Sequence, residues 1–514
     1  MSSRRQYLMN VFWSWLSAFG LILNAILLTP YLIRKLGTDQ YGIWALGLSL
    51  VEYFWMIDLG VRPATVKMTA EFKALESWDQ LNNLLSTAAG YSAVMGLAIF
   101  GLISFNTGAI AHFYRITNPE FPLLVHAVSL SWAFGLVFNV FEAALEGFQR
   151  FDITGRTFIC FVLARSLTLV LVVTLGYGLA GMAAALLGTQ LLMYLSFFIS
   201  LRRIHPLLHI SPWNITRKAG REIWLYARQV ISAMLSARLV SAAIPSLITR
   251  ILGVRSLAYY SFTQKTLDYA GEGIGRIGLI TAPRAADWMT RGYRPQLMRL
   301  AEYGNRYCLT LWLVVATFLM VYGKALFGVW INPEFAEKAG GLLPFMLVGY
   351  TFWLGQFVSA SILMGVGWYG EYSGSLMVEA VLTVAGFALV LPHYGLIGGV
   401  AVSSLLIFTN RCVNLGRIFA KKFEIKLLPF LWRIYRVPLF LAVVDVGALW
   451  VVRRTWLPGT SLRQLIEAGV VNSIVFAAVA FRLVLEPDHR EIVVAQIDQK
   501  LRRFTGHGIR NKAA

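Results

Sequence analysis

The sequence predicts an all-α polytopic membrane protein of about 14 transmembrane helices, forming two pseudo-symmetric six-helix bundles plus two C-terminal helices. Hydrophobic residues make up 57% of the 514 residues and charged residues only 14%, and the mean hydropathy is +0.62. This composition excludes an ordinary soluble globular protein. Apolar stretches of about 20 residues, enough to cross a bilayer, recur along the whole chain. The two halves of the chain also repeat each other.

The apolar stretches place the predicted spans in order. They lie at about 9–33, 42–60, 83–106, 121–145, 156–176, 178–201, 223–251, 256–280, 303–331, 340–366, 372–392, 394–420, 433–452 and 465–485. Two pairs, 156–176 with 178–201 and 372–392 with 394–420, are joined by very short Tyr-Gly turns, which predicts tight antiparallel hairpins. No small-residue cleavage site follows the first stretch, so we expect it to remain as an uncleaved span.

Four short sequence matches define the internal repeat. Leu36-Gly37 returns as Leu252-Gly253, Glu52-Tyr53 as Asp268-Tyr269, Asn118-Pro119-Glu120-Phe121 as Asn332-Pro333-Glu334-Phe335, and Tyr177-Gly178-Leu179 as Tyr394-Gly395-Leu396. The offsets are 216, 216, 214 and 217 residues, and the order is conserved between the halves. Matches in one order at nearly one spacing indicate two homologous lobes.

The repeat and the spans together predict the domain boundaries. We expect an N-lobe at 1–203, a cytoplasmic linker at 204–221 and a C-lobe at 222–427. The last two helices then occupy 428–486, and a basic cytoplasmic tail follows at 487–514.

The distribution of Lys and Arg predicts the orientation. With the N-terminus inside, 31 of the 46 basic residues fall in inside segments or the span ends next to them, and 10 in outside loops or the span ends next to them, which places both termini in the cytoplasm. The longest inside connections are 61–82, 202–222, 281–302 and the tail. Their basic residues would lie against anionic lipids of the inner leaflet, each contributing about 1 kcal/mol near the surface. The net charge of +20 therefore indicates membrane topology and no nucleic-acid partner.

Motifs typical of enzymes do not explain this sequence. There is no phosphate-binding loop and no nucleophile elbow. Gly273-x-Gly275-x-x-Gly278 spells a dinucleotide fingerprint but lies inside a predicted span without a preceding strand. The three cysteines form no metal-ligand pair. We therefore expect no catalytic residue, no metal and no resident cofactor.

Charged residues at membrane depth mark the candidate site. Span 223–251 contains Arg228 and Arg238, and span 256–280 contains Lys265, Asp268, Glu272 and Arg276, which fall on one narrow helical stripe. A charge at mid-bilayer costs about 2.5–3.5 kcal/mol on insertion scales, so such residues line a bundle interior, a cavity or a substrate path. Internal ion pairs that hold helices together remain the alternative.

Other charges in or near the spans have candidate partners along the chain. Glu52 in span two is the repeat equivalent of Asp268, and Arg165 lies in span five. Asp58 could pair with Arg62 at i,i+4 spacing, and Glu142 with the nearby Arg150.

Several motifs carry a family resemblance. Residues 29–37, TPYLIRKLG, followed by 40–44, QYGIW, resemble the opening of the polysaccharide flippases. Residues 58–60, DLG, and 145–151, LEGFQRF, are also similar to that family. These flippases are the Wzx-like members of the multidrug/oligosaccharidyl-lipid/polysaccharide exporter superfamily, and topology extends the resemblance over essentially the whole chain.

The resemblance implies two six-helix bundles about a pseudo-two-fold axis, enclosing a central cavity. It implies that an undecaprenyl-diphosphate-linked oligosaccharide moves across the bacterial cytoplasmic membrane by alternating access, together with other polysaccharide assembly proteins. Our hypothesis assigns diphosphate or acidic-sugar contacts to Arg228, Arg238, Lys265, Arg276 and Arg165. It assigns gating, or coupling to H⁺ or Na⁺, to Glu52, Asp268 and Glu272.

Two other functions stay open at this point. A drug or cation antiporter of the same superfamily would share the fold, but such proteins commonly use a carboxylate in the first span, and residues 9–33 contain none. A membrane-embedded polysaccharide polymerase or ligase would be expected to have a substantial external loop, whereas the predicted outside loops are short.

Overall fold

The computed structural model describes residues 27–55, 60–206 and 208–491, and positions 13, 16, 20, 21, 24 and 495. The side chains at 51, 54, 55, 228–234, 275–280 and 283 lie outside that description. The regular structure within it is helical: α1 27–36, α2 Thr38–Trp55, α3 Val61–Ala74, α4 Trp78–Tyr114, α5 Phe121–Gly147, α6 Phe151–Thr174, α7 Gly178–Ile204, α8 Arg217–Leu252, α9 Val254–Thr290, α10 Arg294–Trp330, α11 Pro333–Lys338, α12 Leu343–Leu354, α13 Phe357–Gly365, α14 Gly370–Ile407, α15 Leu415–Phe423, α16 Leu427–Thr455 and α17 Leu462–Leu483.

Among the described residues, ten helical segments are long and apolar enough to cross a membrane. This finding confirms the all-α polytopic class. Helices α2 and α9 are not among the ten. The total of about 14 spans, the two-bundle arrangement and the lobe boundaries stay predictions.

Glycines end the helices at equivalent places in the two halves. Gly37 separates α1 from α2 and Gly253 separates α8 from α9, with φ angles of 82° and 86°. These values lie in the left-handed region that glycine adopts without a steric penalty. The Leu-Gly repeat read in the sequence is therefore a repeated turn.

The predicted second hairpin is confirmed inside α14. Gly395, with φ 61° and ψ −158°, interrupts the helix at the Tyr-Gly dipeptide. A Cβ atom at Gly399 would lie 2.9 Å from the Phe387 ring and 3.3 Å from Leu391. The chain therefore folds back on itself, and the two arms pack in antiparallel contact.

Two of the predicted inside connections are largely helical. Residues 61–82 contain α3, whose Val61, Ala64 and Met68 are buried. Residues 281–302 reduce to a short turn between α9 and α10. At 1.5 Å per residue the 37 residues of α9 extend about 55 Å, well beyond the hydrocarbon core of about 30 Å. A helix can therefore continue through a polar segment beyond the hydrocarbon core.

The predicted span 340–366 is a broken helix rather than a single one. Helix α12 ends at Leu354 and α13 begins at Phe357. The side-chain oxygen of Asn305, on α10, accepts hydrogen bonds from the Val358 and Ser359 amides at 2.9 and 3.2 Å. Unpaired backbone groups cost several kcal/mol in lipid, so this capping stabilises the break.

The described chain divides into two compact units. Unit 1 comprises Met1–Tyr269, Trp330–Met346 and Gly370–Leu406, and unit 2 comprises Ala270–Val329, Leu347–Tyr369 and Ile407–Ala514. A core in unit 1 joins α3, α4, α5 and α7, where Leu84 and Phe197 are fully buried.

The segment between α7 and α8 is docked rather than free. The His209 amide donates to Asn82 Oδ1 at 2.9 Å, and the Ser211 amide donates to Ser86 Oγ at 3.1 Å. Where this segment begins, the His205 ring stacks on Phe148 with centroids 3.8 Å apart. Burial lowers the pKa of His205, and the positive charges of nearby lysine and arginine side chains lower it further.

Candidate functional site

An ion pair joins the two repeats at membrane depth in unit 1. Arg238 of α8 donates from Nη1 to Glu52 Oε2 of α2 at 2.6 Å. The two side chains remain 35% and 26% exposed. The structure thus brings together a predicted substrate-binding residue and a predicted gating residue. Because each charge stabilises the other, neither is isolated in the membrane.

A polar cluster adjoins this pair on the same helices. Tyr53, next to Glu52 in α2, lies with its hydroxyl 2.9 Å from Ser246 Oγ of α8. Tyr114 of α4 donates to the same oxygen at 3.0 Å. Hydroxyl groups of this kind can hydrogen-bond sugars or phosphate oxygens without adding charge.

Lys265 and Asp268 lie on one face of α9, as predicted. Lys265 is half-buried, Asp268 is exposed, and Asp268 is the charged neighbour of Lys265. The i,i+3 spacing places the two charges close enough to interact within one helix. Asp268 is the repeat equivalent of Glu52, but in this structure its described charge partner is a lysine of its own helix.

The other predicted site residues of spans 223–251 and 256–280 lie in unit 2 or have side chains outside the description. Glu272, in unit 2, is exposed. The side chains of Arg228 and Arg276 lie outside the described residues, although both positions are helical. Their predicted roles therefore stay predictions.

Arg165 contacts a different helix from Arg238. It donates from Nη1 to Gln190 Oε1 of α7 at 3.0 Å. It also lines a cavity of about 50 Å³ together with Phe158 and Thr189. The Tyr269 hydroxyl of α9 lies within electrostatic reach of the guanidinium. Arg165 therefore hydrogen-bonds inside the first repeat, between α6 and α7.

The expected pair of Glu142 with Arg150 is replaced by a contact across helices, whereas the expected pair of Arg62 with Asp58 stays a prediction. Arg62 of α3 bridges Glu142 and Glu146 of α5 at 3.2 and 2.8 Å. Arg150 instead pairs with Asp152 at 2.9 Å. Asp58 lies outside the described residues. Helix α3, which the sequence analysis missed, explains this difference because it carries Arg62 to the face of α5.

The sequence analysis also missed a group of contacts near the α1–α2 and α8–α9 turns of unit 1. Arg255 makes two hydrogen bonds to the Asp39 carboxylate, at 3.0 and 2.7 Å. Arg34 donates to the Ile331 carbonyl at 3.3 Å, and its repeat equivalent Arg250 lies 5.3 Å from the Phe113 ring centroid. We name the Asp39–Arg255 pair, with these two arginine contacts, the turn cluster.

A close backbone contact between α2 and α9 lies beside the turn cluster. A Cβ atom at Gly42 would lie 2.1 Å from the Val254 carbonyl oxygen, so α2 and the start of α9 touch directly. Asp39 and Arg255 are 216 residues apart, the offset of the repeat. That offset was a signal for the pair, because a two-fold relation brings equivalent residues together on its axis.

A search for metal ligands in the described part of the chain finds no group of three or more His, Cys, Asp or Glu side chains that could hold an ion. The described site therefore offers charges and hydroxyls for binding polar groups.

The chain resembles known proteins along most of its length. It is 19% identical over 400 residues to a Shigella flexneri protein whose name describes it as an O-antigen transporter, covering 74% of this chain and 90% of that one. It is 22% identical over 531 residues to the uncharacterised Bacillus subtilis membrane protein EpsK, covering 93% of this chain and 96% of that one.

Solved structures share the fold at low sequence identity. The lipid II flippase MurJ in an inward closed conformation matches with a TM-score of 0.71 and 12% identity, over 92% of this chain and 99% of that one. An inward-facing multidrug resistance MATE transporter of the MOP superfamily matches with a TM-score of 0.63 and 14% identity, over 79% and 96%.

A family model described as polysaccharide biosynthesis protein matches residues 7–277, more than half of the chain. This match confirms the resemblance seen in the sequence motifs. The chain therefore belongs to the polysaccharide biosynthesis protein family.

Proposed function

We propose that this protein is a flippase that moves a polyprenyl-diphosphate-linked oligosaccharide across the bacterial cytoplasmic membrane for surface polysaccharide synthesis. The family and the fold support transport by alternating access. A sugar chain and a diphosphate cannot cross hydrocarbon unaided, since each unpaired polar group costs several kcal/mol. The protein provides a polar route for the headgroup while the isoprenoid tail stays in lipid.

The Arg238–Glu52 pair is the observation that carries this proposal. Arg238 lies at membrane depth yet keeps about a third of its side-chain exposure. A guanidinium binds a phosphate oxygen pair with charge-assisted hydrogen bonds. A diphosphate can therefore compete with Glu52 for Arg238, and the cationic Lys265 and Arg165 extend the same preference for an anionic headgroup.

The proposal has further parts. Arg228 and Arg276 add headgroup contacts, and Glu52, Asp268 and Glu272 gate the path or couple it to H⁺ or Na⁺. Both termini lie in the cytoplasm, and basic residues of the inside segments bind anionic lipids. Other polysaccharide assembly proteins supply and consume the glycolipid, and the chain itself performs no covalent chemistry.

The test is the leaflet distribution of polyprenyl-diphosphate glycans with and without the gene, measured by mass spectrometry and an impermeant label. We expect intact glycolipid on the cytoplasmic side only when the gene is absent. Complementation with R238A should fail, whereas R463A, at an exposed position of α17, should restore export. An unchanged distribution without the gene would favour a drug antiporter, and accumulation on the outer side would indicate a polymerase or ligase.

A further inference from the structure

Asp445 is a carboxyl group buried near the middle of a membrane-spanning helix that the proposed transport site does not use. It lies ten residues before the end of α16, at a depth of about 15 Å along the helix. Its exposure is 8%. An ionised carboxylate in such a place is expensive unless a cation or several hydrogen bonds stabilise it.

No cation stabilises Asp445 among the residues that the structure describes. Its helix, α16, packs against α17, and the hydroxyl that it faces belongs to Thr317 of α10, all in unit 2. Arg453 of α16 donates to the Val321 carbonyl, and on α17 Arg463 pairs with Glu467 at 2.8 Å. No ionisable side chain of these three helices interacts electrostatically with Asp445 within the described chain.

The surroundings of the Asp445 carboxyl group favour its neutral, protonated form. Its Oδ2 atom is buried and has no partner in the described structure. The polar group that it faces is the Thr317 hydroxyl of α10. Thr317 donates its single proton to the Leu313 carbonyl at 2.8 Å. The Thr317 hydrogen can also rotate toward Asp445, so the preference for the neutral acid rests on burial and on the unpartnered Oδ2 atom.

A second buried polar side chain meets the same turn of α10. Asn472 of α17 is 3% exposed and donates from Nδ2 to the Val314 carbonyl at 3.0 Å. Its Oδ1 atom is buried without a partner in the described residues. Polar groups from α16 and α17 thus converge on one turn of α10, inside a part of the membrane where apolar packing would cost less.

We propose that Asp445 is a proton-binding site in the membrane interior. The neutral acid hydrogen-bonds to Thr317 and lets α16 pack against α10. Loss of the proton leaves a charge without a counterion and loosens that contact. The site lies outside the two sequence repeats and is distinct from the charged residues of α2, α8 and α9. The inference that binding of this proton is coupled to glycolipid movement rests on the proposed function.

Infrared spectroscopy of the full-length protein in lipid nanodiscs tests proton binding without any transport assay. At neutral pH the wild type should show a protonated-carboxyl stretching band that D445N loses. The matched variant E467Q, which removes an exposed carboxylate on α17, should keep the band. Identical spectra of wild type and D445N in this region would overturn the proposal. A band that appears only after Na⁺ is removed would also overturn it and indicate a sodium site.

The coupling is tested separately by glycolipid export in cells. D445N locks the side chain in the shape of the neutral acid, so we expect export to be lost while the protein still inserts and unfolds like the wild type. E467Q should export normally. If D445N exports at the wild-type rate, the coupling is wrong even when the infrared band is present. If the gene has no effect on glycolipid distribution, the proposed function fails and the infrared result still decides proton binding.

Discussion

The Glu52–Arg238 pair allows a quantitative test by a double-mutant cycle. Exposed ion pairs contribute about 0.2–1 kcal/mol, and removing one partner of a fully buried pair costs about 3–5 kcal/mol. With side chains 26% and 35% exposed at a 2.6 Å contact, we expect a coupling free energy of about 2 kcal/mol. E52Q and R238Q should each destabilise the protein, and the double variant should be little worse than either.

The cycle is measured by unfolding in detergent, and the charge-swapped variant E52R/R238E separates structure from transport. The swap should recover most of the lost stability because opposite charges still meet. Export should stay lost, since no cation remains at position 238 of α8 to meet a diphosphate. If the losses in unfolding free energy of the two single variants simply add in the double variant, the pair does not contribute to stability. Wild-type export from the swapped variant would refute the headgroup role of Arg238.

Three further predictions concern other parts of the molecule. Reversing Asp39 or Arg255 alone should reduce export with little change in stability, because the pair is more than half exposed, and the double reversal should restore export. G355A should lower the melting temperature, since its Cβ would lie 2.6 Å from a tyrosine hydroxyl, whereas G447A, with open space around it, should not. Because the folded state lowers the pKa of His205, stability should fall as pH drops below the ordinary value of 6.5, and H205F should remove that dependence in melting curves.

Hydropathy and glycine positions predicted most of the helices and their repeated turns. A helix across a bilayer must be apolar over a fixed length, so composition alone locates α4 to α7. The turns at Gly37 and Gly253 were visible because only glycine adopts their backbone angles freely. The break before Gln356 was not visible, since α12 and α13 are equally apolar on both sides of it and Asn305 stabilises it from a distant helix.

Partners of charged residues were harder to predict than the residues themselves. Local spacing suggested Arg150 for Glu142, but α3 brings Arg62 to Glu142 and Glu146, and Arg150 pairs with Asp152. Spacing along one helix reports only neighbours on that helix, whereas a polytopic fold satisfies most charges between helices. The repeat is the exception, because it relates Asp39 to Arg255 across the two halves.

The alternative of internal ion pairs and the proposed substrate path describe the same residues in different states. Without cargo, Arg238 needs Glu52, because an unpaired guanidinium at this depth costs several kcal/mol. A diphosphate offers more acceptor oxygens than one carboxylate, so it can replace Glu52 as the partner of Arg238. Glu52 is then available to bind a proton or another cation. Under the proposed function, that exchange releases a contact between α2 and α8, the helices that join the two repeats. A pair that is two-thirds buried is stable enough to hold the empty protein and exposed enough to be displaced by its cargo.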